Sequence, residues 1–255
     1  MTSQRRTTRR VFARGVAAAL ICTPLVIPAS DLRCQGGITA SERTGLRSAG
    51  AGTHEPSGRE IRLFNGRDLS GWEYFLVDEN ARMEDVWSVE EGLLVCRGEP
   101  RGYLYTADEF QDFRLVVEWR WPGEPGNSGV LMRIAGEPTW LPNSVEAQLR
   151  SGSAGDMYGF NGFIIGGDAD RLSEISIGRA LAGIERNEKE PGEWNRYEIT
   201  AVGGTITILL NGIRVNEVTS CTVRPGRIGL QSEGGVIHFR TVTLTLLGGG
   251  AQRSP

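Results

Sequence analysis

The chain has 255 residues and a formal net charge of -3, with 39% hydrophobic and 23% charged residues. These values describe an ordinary globular protein and exclude disordered and fibrous classes. With His54 and His238 the only histidines and Lys189 the only lysine, a three-histidine zinc site is impossible, and a Schiff base or serine triad has poor material. Carboxylates, amides, arginines and aromatics are what remain.

Residues 1–29 carry Arg5, Arg6, Arg9, Arg10 and Arg14 and no acid, followed by an apolar run from Gly15 to Ile27 and then Pro28-Ala29-Ser30. A basic start, a short apolar stretch and small residues describe a secretory signal peptide. Thr8-Arg9-Arg10-Val11-Phe12 adds a twin-arginine character. At ~1.5 Å per residue the apolar run is too short for a ~30 Å hydrocarbon core, so no stable membrane insertion is expected once the leader is gone. Cys34 follows the charged Arg33, which makes a poor lipoprotein signal. Without the five leader arginines, 23 of the 28 basic residues face 31 acids, a balance of -8. Such a chain has no electrostatic reason to bind nucleic acid. The expected destination is export, to the periplasm or the extracellular space.

Residues 30–59, rich in Ser, Thr, Gly, Ala and Arg without apolar period, read as a tether. The folded domain is expected over 60–248, with a short tail at 249–255. Its two cysteines, Cys96 and Cys221, are expected as buried thiols, since spacing alone cannot bring them together.

Within the domain, β-branched or alternating runs predict strands at Ile61–Phe64, Trp87–Val89, Leu93–Arg97, Phe113–Trp121, Gly129–Ile134, Ser144–Leu149, Trp194–Val202, Thr205–Leu210, Ile213–Val218, Arg227–Ser232 and Val236–Leu247. Asn211-Gly212 marks a two-residue hairpin. The absence of helical periodicity and of a fixed repeat predicts an all-β, two-sheet antiparallel sandwich of jelly-roll type. Alternation places Leu115, Val117 and Trp119 inward, with Arg114, Glu118 and Arg120 outward. It also turns Val145, Ala147 and Leu149 inward against Glu146, Gln148 and Arg150, and Ile228 and Leu230 against Gly229, Gln231 and Glu233. Val130, Met132 and Ile134 are expected on one side of their strand, Asn127, Leu131 and Arg133 on the other. Solvated sheet faces are polar by default, yet acids, amides and guanidinium groups near an aromatic residue are also the groups that hold sugar hydroxyls.

Several segments then carry a resemblance. Leu63-Phe64-Asn65-Gly66-Arg67-Asp68-Leu69-Ser70-Gly71-Trp72, Trp87-Ser88-Val89-Glu90-Glu91-Gly92-Leu93-Leu94 and Gly126-Asn127-Ser128-Gly129-Val130 with Arg133 resemble, in order, parts of the domain called DUF1080, or the 3-keto-disaccharide hydrolase domain. So do Glu146-Ala147-Gln148-Leu149, Gly192-Glu193-Trp194-Asn195, Leu210-Asn211-Gly212 and Gly229-Leu230-Gln231-Ser232-Glu233-Gly234 with Phe239-Arg240. The resemblance implies a concanavalin A-like sandwich acting on glycosides oxidised at C3. The ketone acidifies the C2–H, so a carboxylate can remove that proton, the aglycone leaves from C1, and water adds back.

Glu146 is the expected base, with Asp156 a second acid or calcium ligand on a Gly-Ser loop. No cofactor is assigned; the enolate oxygen needs something cationic or a metal, and calcium is the metal left open. Arg133 would stabilise enolate charge, or simply neutralise Glu146 or Glu118. Asn127 and Gln148 would orient hydroxyls, Glu118 would join the acids or pair with an arginine, and Trp140 would stack on a pyranose face or pack on the sandwich edge. Gln231 and Glu233 follow the family pattern and would line the rim. His238 lies on a polar strand side, where a structural role is commoner. A retaining endoglucanase needs carboxylates in a Glu-x-Asp-x-x-Glu pattern; here Gln148 and Ser151 stand at the later places. A non-catalytic, lectin-like carbohydrate-binding sandwich remains the alternative.

Overall fold

The computed structural model describes residues 58–178 and 187–248. The leader, the tether up to residue 57 and the tail therefore lie outside the described residues. In chain order the elements are β1 (Glu60–Arg62), β2 (Trp72–Leu76), α1 (Met83–Val86), β3 (Trp87–Glu90), β4 (Leu93–Cys96), β5 (Gly102–Thr106), β6 (Phe113–Arg120), β7 (Gly129–Ala135), β8 (Asn143–Gln148), β9 (Met157–Phe160), β10 (Ser176–Ile177), β11 (Asn195–Val202), β12 (Thr205–Leu210), β13 (Ile213–Val218), β14 (Arg227–Ser232) and β15 (Ile237–Leu246).

They form two antiparallel sheets. One runs β13-β12-β11-β6-β15-β4-β3, with β1 added beside β15; the other runs β10-β9-β8-β7-β14-β5-β2. The all-β sandwich read from alternation is the fold. Its core is made by the inward residues that the alternation selects: Leu115, Val117 and Trp119 of β6, Tyr197 and Ile199 of β11, Val145 and Ala147 of β8, and Ile228 and Leu230 of β14. Each buried Val, Leu or Ile among them contributes about 1.5–3 kcal/mol by leaving water. Trp194 is half-buried, with the guanidinium groups of Arg120 and Arg240 at 4.8 and 4.6 Å from its ring. Cys96 and Cys221 are both buried thiols.

Strands β2, β5, β9 and β10 and the one-turn α1 lie beyond the predicted set. β5 (Gly-Tyr-Leu-Tyr-Thr) is buried along its whole length, so no polar alternation marks it. β9 is interrupted by Gly159, where a Cβ would run into the backbone of Phe163.

A bulge sets the faces of the seven-stranded sheet. Ile134 pairs with Arg227 and Leu131 with Gly229, so two residues of β7, Met132 and Arg133, oppose only Ile228. Arg133 takes up the extra step at φ 54°. A Cβ at Gly226 would collide with the Arg133 backbone there. The extra residue reverses the phase, so Ile134 joins Leu131 on the outer face rather than Val130 and Met132 in the main core.

Candidate active site

The outer face of the seven-stranded sheet is itself largely covered. Tyr103, Tyr105, Leu131 and Ile134 form a second buried cluster there, flanked by Phe75 and Phe160. The register fixes who stands beside whom. Glu146 of β8 lies between Leu131 of β7 and Tyr158 of β9. One step along, Gly129 of β7 pairs with Gln148, and Gln231 of β14 pairs with Tyr103 of β5, which in turn pairs with Phe75 of β2.

Glu146 is the centre of this arrangement. Although alternation turns it away from the core, it is only 2% exposed, and its Oε1 has no hydrogen-bond partner. Gln231, 1% exposed, has an unpartnered Oε1 as well. The two oxygens meet over Gly129, where a Cβ would lie under 3.0 Å from both. Glycine is thus required because the space above its α-carbon is taken by the two acceptors. Burial without a compensating cation, together with the nearby Glu233 carboxyl, pushes the Glu146 pKa up to about 8. Glu233 is also raised by burial, against the pull of Arg101 and Arg150.

Asn127 adds a third buried acceptor without a partner, Oδ1, while its backbone N–H donates to Gly234 O at 2.7 Å beside Glu233. Leaving such acceptors unpaired costs about 1–3 kcal/mol each, a cost that donors on a ligand would relieve. Gln148 is committed locally: its Oε1 accepts from the Arg150 N–H at 2.7 Å. Its backbone carbonyl accepts from the Tyr197 hydroxyl. Asp156 follows in the same loop, and its carbonyl accepts from the Gln148 N–H at 2.9 Å. Trp140 is half-buried in the β7–β8 loop. That loop is tied to the face by the Tyr103 hydroxyl, which donates to Thr139 O at 3.2 Å. Burial pushes the Tyr103 phenol up to about 12, so it stays protonated.

Two expected members stand elsewhere. Arg133 is fully buried behind the bulge, where it donates to the carbonyls of Thr222 (2.7 Å), Gly203 (2.8 Å) and Gln111 (3.1 Å). It holds loops together and does not reach Glu146, because the bulge turns it out of the alternating phase. Glu118 belongs to the other sheet and faces its outer side, paired with Arg240 (3.0 Å) and Arg196 (3.5 Å) and accepting from the Thr241 hydroxyl (2.6 Å). The full sandwich separates it from Glu146. His238, on the same outer side, contacts Arg120 at 3.5 Å. The expected gathering of Glu118, Arg133, Glu146 and Gln231 is therefore halved: Glu146 and Gln231 converge, the other two do not. Calcium takes about 6–8 oxygen ligands; among the described residues no group of three or more His, Cys, Asp or Glu is placed to hold a metal.

An aromatic wall, which strand alternation does not predict, stands beside Gln231. Phe75 stacks on Tyr103 with centroids 5.5 Å apart, and Tyr103 lies 5.6 Å from Tyr105. Arg227 covers the Tyr105 ring at 5.2 Å. The alternating tyrosines of Gly102–Thr106 were the available signal.

Residues 59–245 match the family described as the 3-keto-alpha-glucoside-1,2-lyase-like domain. A 3-keto-disaccharide hydrolase of Bacteroides thetaiotaomicron is 25% identical over 166 residues, which cover 57% of this chain and 53% of that protein. The chain thus spans about half the length of that curated relative. Among solved structures, a Parabacteroides distasonis protein titled as a glycosyl hydrolase superposes with a TM-score of 0.55 at 24% identity, covering 74% of this chain and all of the other. The Bacillus licheniformis β-glucanase superposes with a TM-score of 0.51 at 12% identity, over 75% of this chain and all of the glucanase. Both share the sandwich.

Proposed function

The chain belongs to the 3-keto-alpha-glucoside-1,2-lyase-like domain family, and from that membership and the surroundings of Glu146 we propose that it cleaves 3-keto-glycosides by elimination across C1 and C2. The observation that carries the proposal is a buried carboxyl, its pKa pushed up to about 8, whose unpartnered oxygen meets that of Gln231 over Gly129.

A carboxylate with a raised pKa is a stronger base than an ordinary one, and general-base catalysis is most efficient near the working pH. Ionised Glu146 takes the C2 proton, and the C2–H electron pair passes into C2–C3 as the ketone becomes an enolate. When the ketone reforms, that pair makes the C1–C2 double bond and the aglycone oxygen departs from C1 with a proton. Addition of water across the double bond, oxygen to C1 and proton to C2, completes hydrolysis. Gln231 and Asn127 accept hydrogen bonds from sugar hydroxyls, and Tyr103, paired with Gln231 across the strands, backs that amide. Glu233, between Arg101 and Arg150, is the second carboxyl from which the aglycone takes its proton. The basic, apolar leader supports export, and with it a reaction in the periplasm or outside the cell.

In deuterated water, a 3-keto-glucoside should exchange its C2 proton and release its aglycone, whereas the unoxidised glucoside should do neither. Glu146→Gln should abolish the exchange. Exchange that survives in this variant would place the base elsewhere, and equal binding of both sugars without turnover would make the domain a lectin.

A further inference from the structure

The outer face of the eight-stranded sheet, on the far side of the sandwich from Glu146, carries a second depression of about 590 Å³, within the ~300–1,000 Å³ of small-molecule sites. The register explains its shape. Thr243 pairs with Arg62 of β1 on one side and Val116 of β6 on the other, and Val116 pairs with Glu198 of β11. One step along, Glu60, Thr245 and Arg114 follow one another. Short side chains (Val116, Thr243, Thr245) thus make a floor, and four long arginines, Arg62, Arg114, Arg196 and Arg240, stand at its rim.

Three of these arginines are held in place. Arg240 donates through both Nε and a terminal nitrogen to Glu118 and lies 4.6 Å from the Trp194 ring. Arg196 joins Glu118 at 3.5 Å and Glu198 at 3.3 Å, and Arg114 pairs with Glu198. A guanidinium has five N–H donors, so each retains donors beyond these contacts. Across the floor, exposed Arg62 has no partner among the described residues, and neither do the Thr243 and Thr245 hydroxyls. With Glu60, Glu118 and Glu198 against the four arginines, the depression keeps an excess of one positive charge in a chain of net -3.

We propose that this depression binds a uronate-bearing oligosaccharide, its carboxylate on Arg62 and the fixed arginines and its hydroxyls along Thr243 and Thr245. A planar guanidinium matches a carboxylate in bidentate fashion. The excess of positive charge suits one carboxylate of such a chain at a time, and the line of hydroxyls over an apolar Val116 suits a sugar ring better than a peptide. The site is independent of the chemistry at Glu146.

Calorimetric titration with trigalacturonate, maltotriose and triglutamate tests this, using the Glu146→Gln chain so that turnover plays no part. Trigalacturonate should bind, weaken as salt is raised, and lose at least tenfold in affinity in Arg62→Ala and more in Arg62→Glu. Arg62 is exposed and unpaired, so neither change endangers the fold. Failure of trigalacturonate to bind, affinity indifferent to Arg62→Glu, or equal binding of maltotriose or triglutamate would overturn the proposal. None of these outcomes bears on elimination at C1–C2.

Discussion

Glu146 and Gln231, 85 residues apart in the chain, bring their unpartnered Oε1 atoms together over the bare α-carbon of Gly129. Neither oxygen is satisfied within the protein, and the carboxyl responds by holding its proton up to about pH 8. In the unfolded chain a glutamate titrates near 4.5. Folding therefore binds this proton more tightly, and the stability associated with it is full below about 4.5. It falls as pH rises toward about 8, by up to about 1.4 kcal/mol per pH unit. Glu146→Gln keeps the shape and removes the titration. The variant should gain on the wild type steadily between these pH values and be the more stable chain at pH 9, while losing activity. Denaturant midpoints of both chains across this range check it; a constant difference would mean that Glu146 is not a raised, buried acid. In the wild type, kcat/KM should rise with pH through about 8, because only the ionised form can take the C2 proton.

Gly129 should tolerate no side chain. In Gly129→Ala the new methyl group must displace the Glu146 carboxylate or the Gln231 amide. Crowding of this kind costs about 1–3 kcal/mol. The larger effect should be on turnover, with kcat down at least a hundredfold, because the base itself is moved. Thermal unfolding and steady-state kinetics on the same preparation separate the two. Near-normal kcat in a folded variant would show that the space above Gly129 is not where the reaction occurs.

The legible part of this protein is its period-two patterning. β12, β13 and β14 fall on the residues that alternation and the Asn211-Gly212 turn select, and Glu146 and Gln231 are found on the outer face for the same reason. What alternation cannot say is which sheet a strand enters. Glu118 and Glu146 look alike as outward acids, yet β6 and β8 belong to opposite sheets. Nor does it register a bulge, which is a pairing of two residues against one and exists only once β7 meets β14. Arg133 and Ile134 therefore stand on the opposite sides from those that alternation predicts. The tyrosines of β5 escaped because a strand buried on both faces carries no polar phase to read.

Arg133 should behave as a structural residue. Its guanidinium satisfies three loop carbonyls and approaches Asp112 at 3.7 Å. Arg133→Met should destabilise by about 3–5 kcal/mol, the range for breaking a buried charged network by removing one partner. Activity per folded molecule should remain within about threefold of wild type at a temperature where both chains are folded. A collapse of kcat with KM and stability unchanged would return this arginine to the enolate.

Tyr103 separates the ring from the hydroxyl. Tyr103→Phe keeps the contacts with Phe75 and Tyr105 and loses only the donor to Thr139 O. Net loss of one such hydrogen bond is worth about 0.5–1.5 kcal/mol, so stability should fall modestly, and KM should rise a few-fold as the β7–β8 loop loosens. Tyr103→Ala removes the wall beside Gln231 and should raise KM at least tenfold, with a smaller change in kcat, because the C2 proton is taken by a different group. Kinetics with a 3-keto-glucoside check both variants. If Tyr103→Phe lost kcat as severely as Glu146→Gln, the phenol would have to be assigned to proton transfer, and the aromatic wall would be part of the chemistry instead of part of substrate binding.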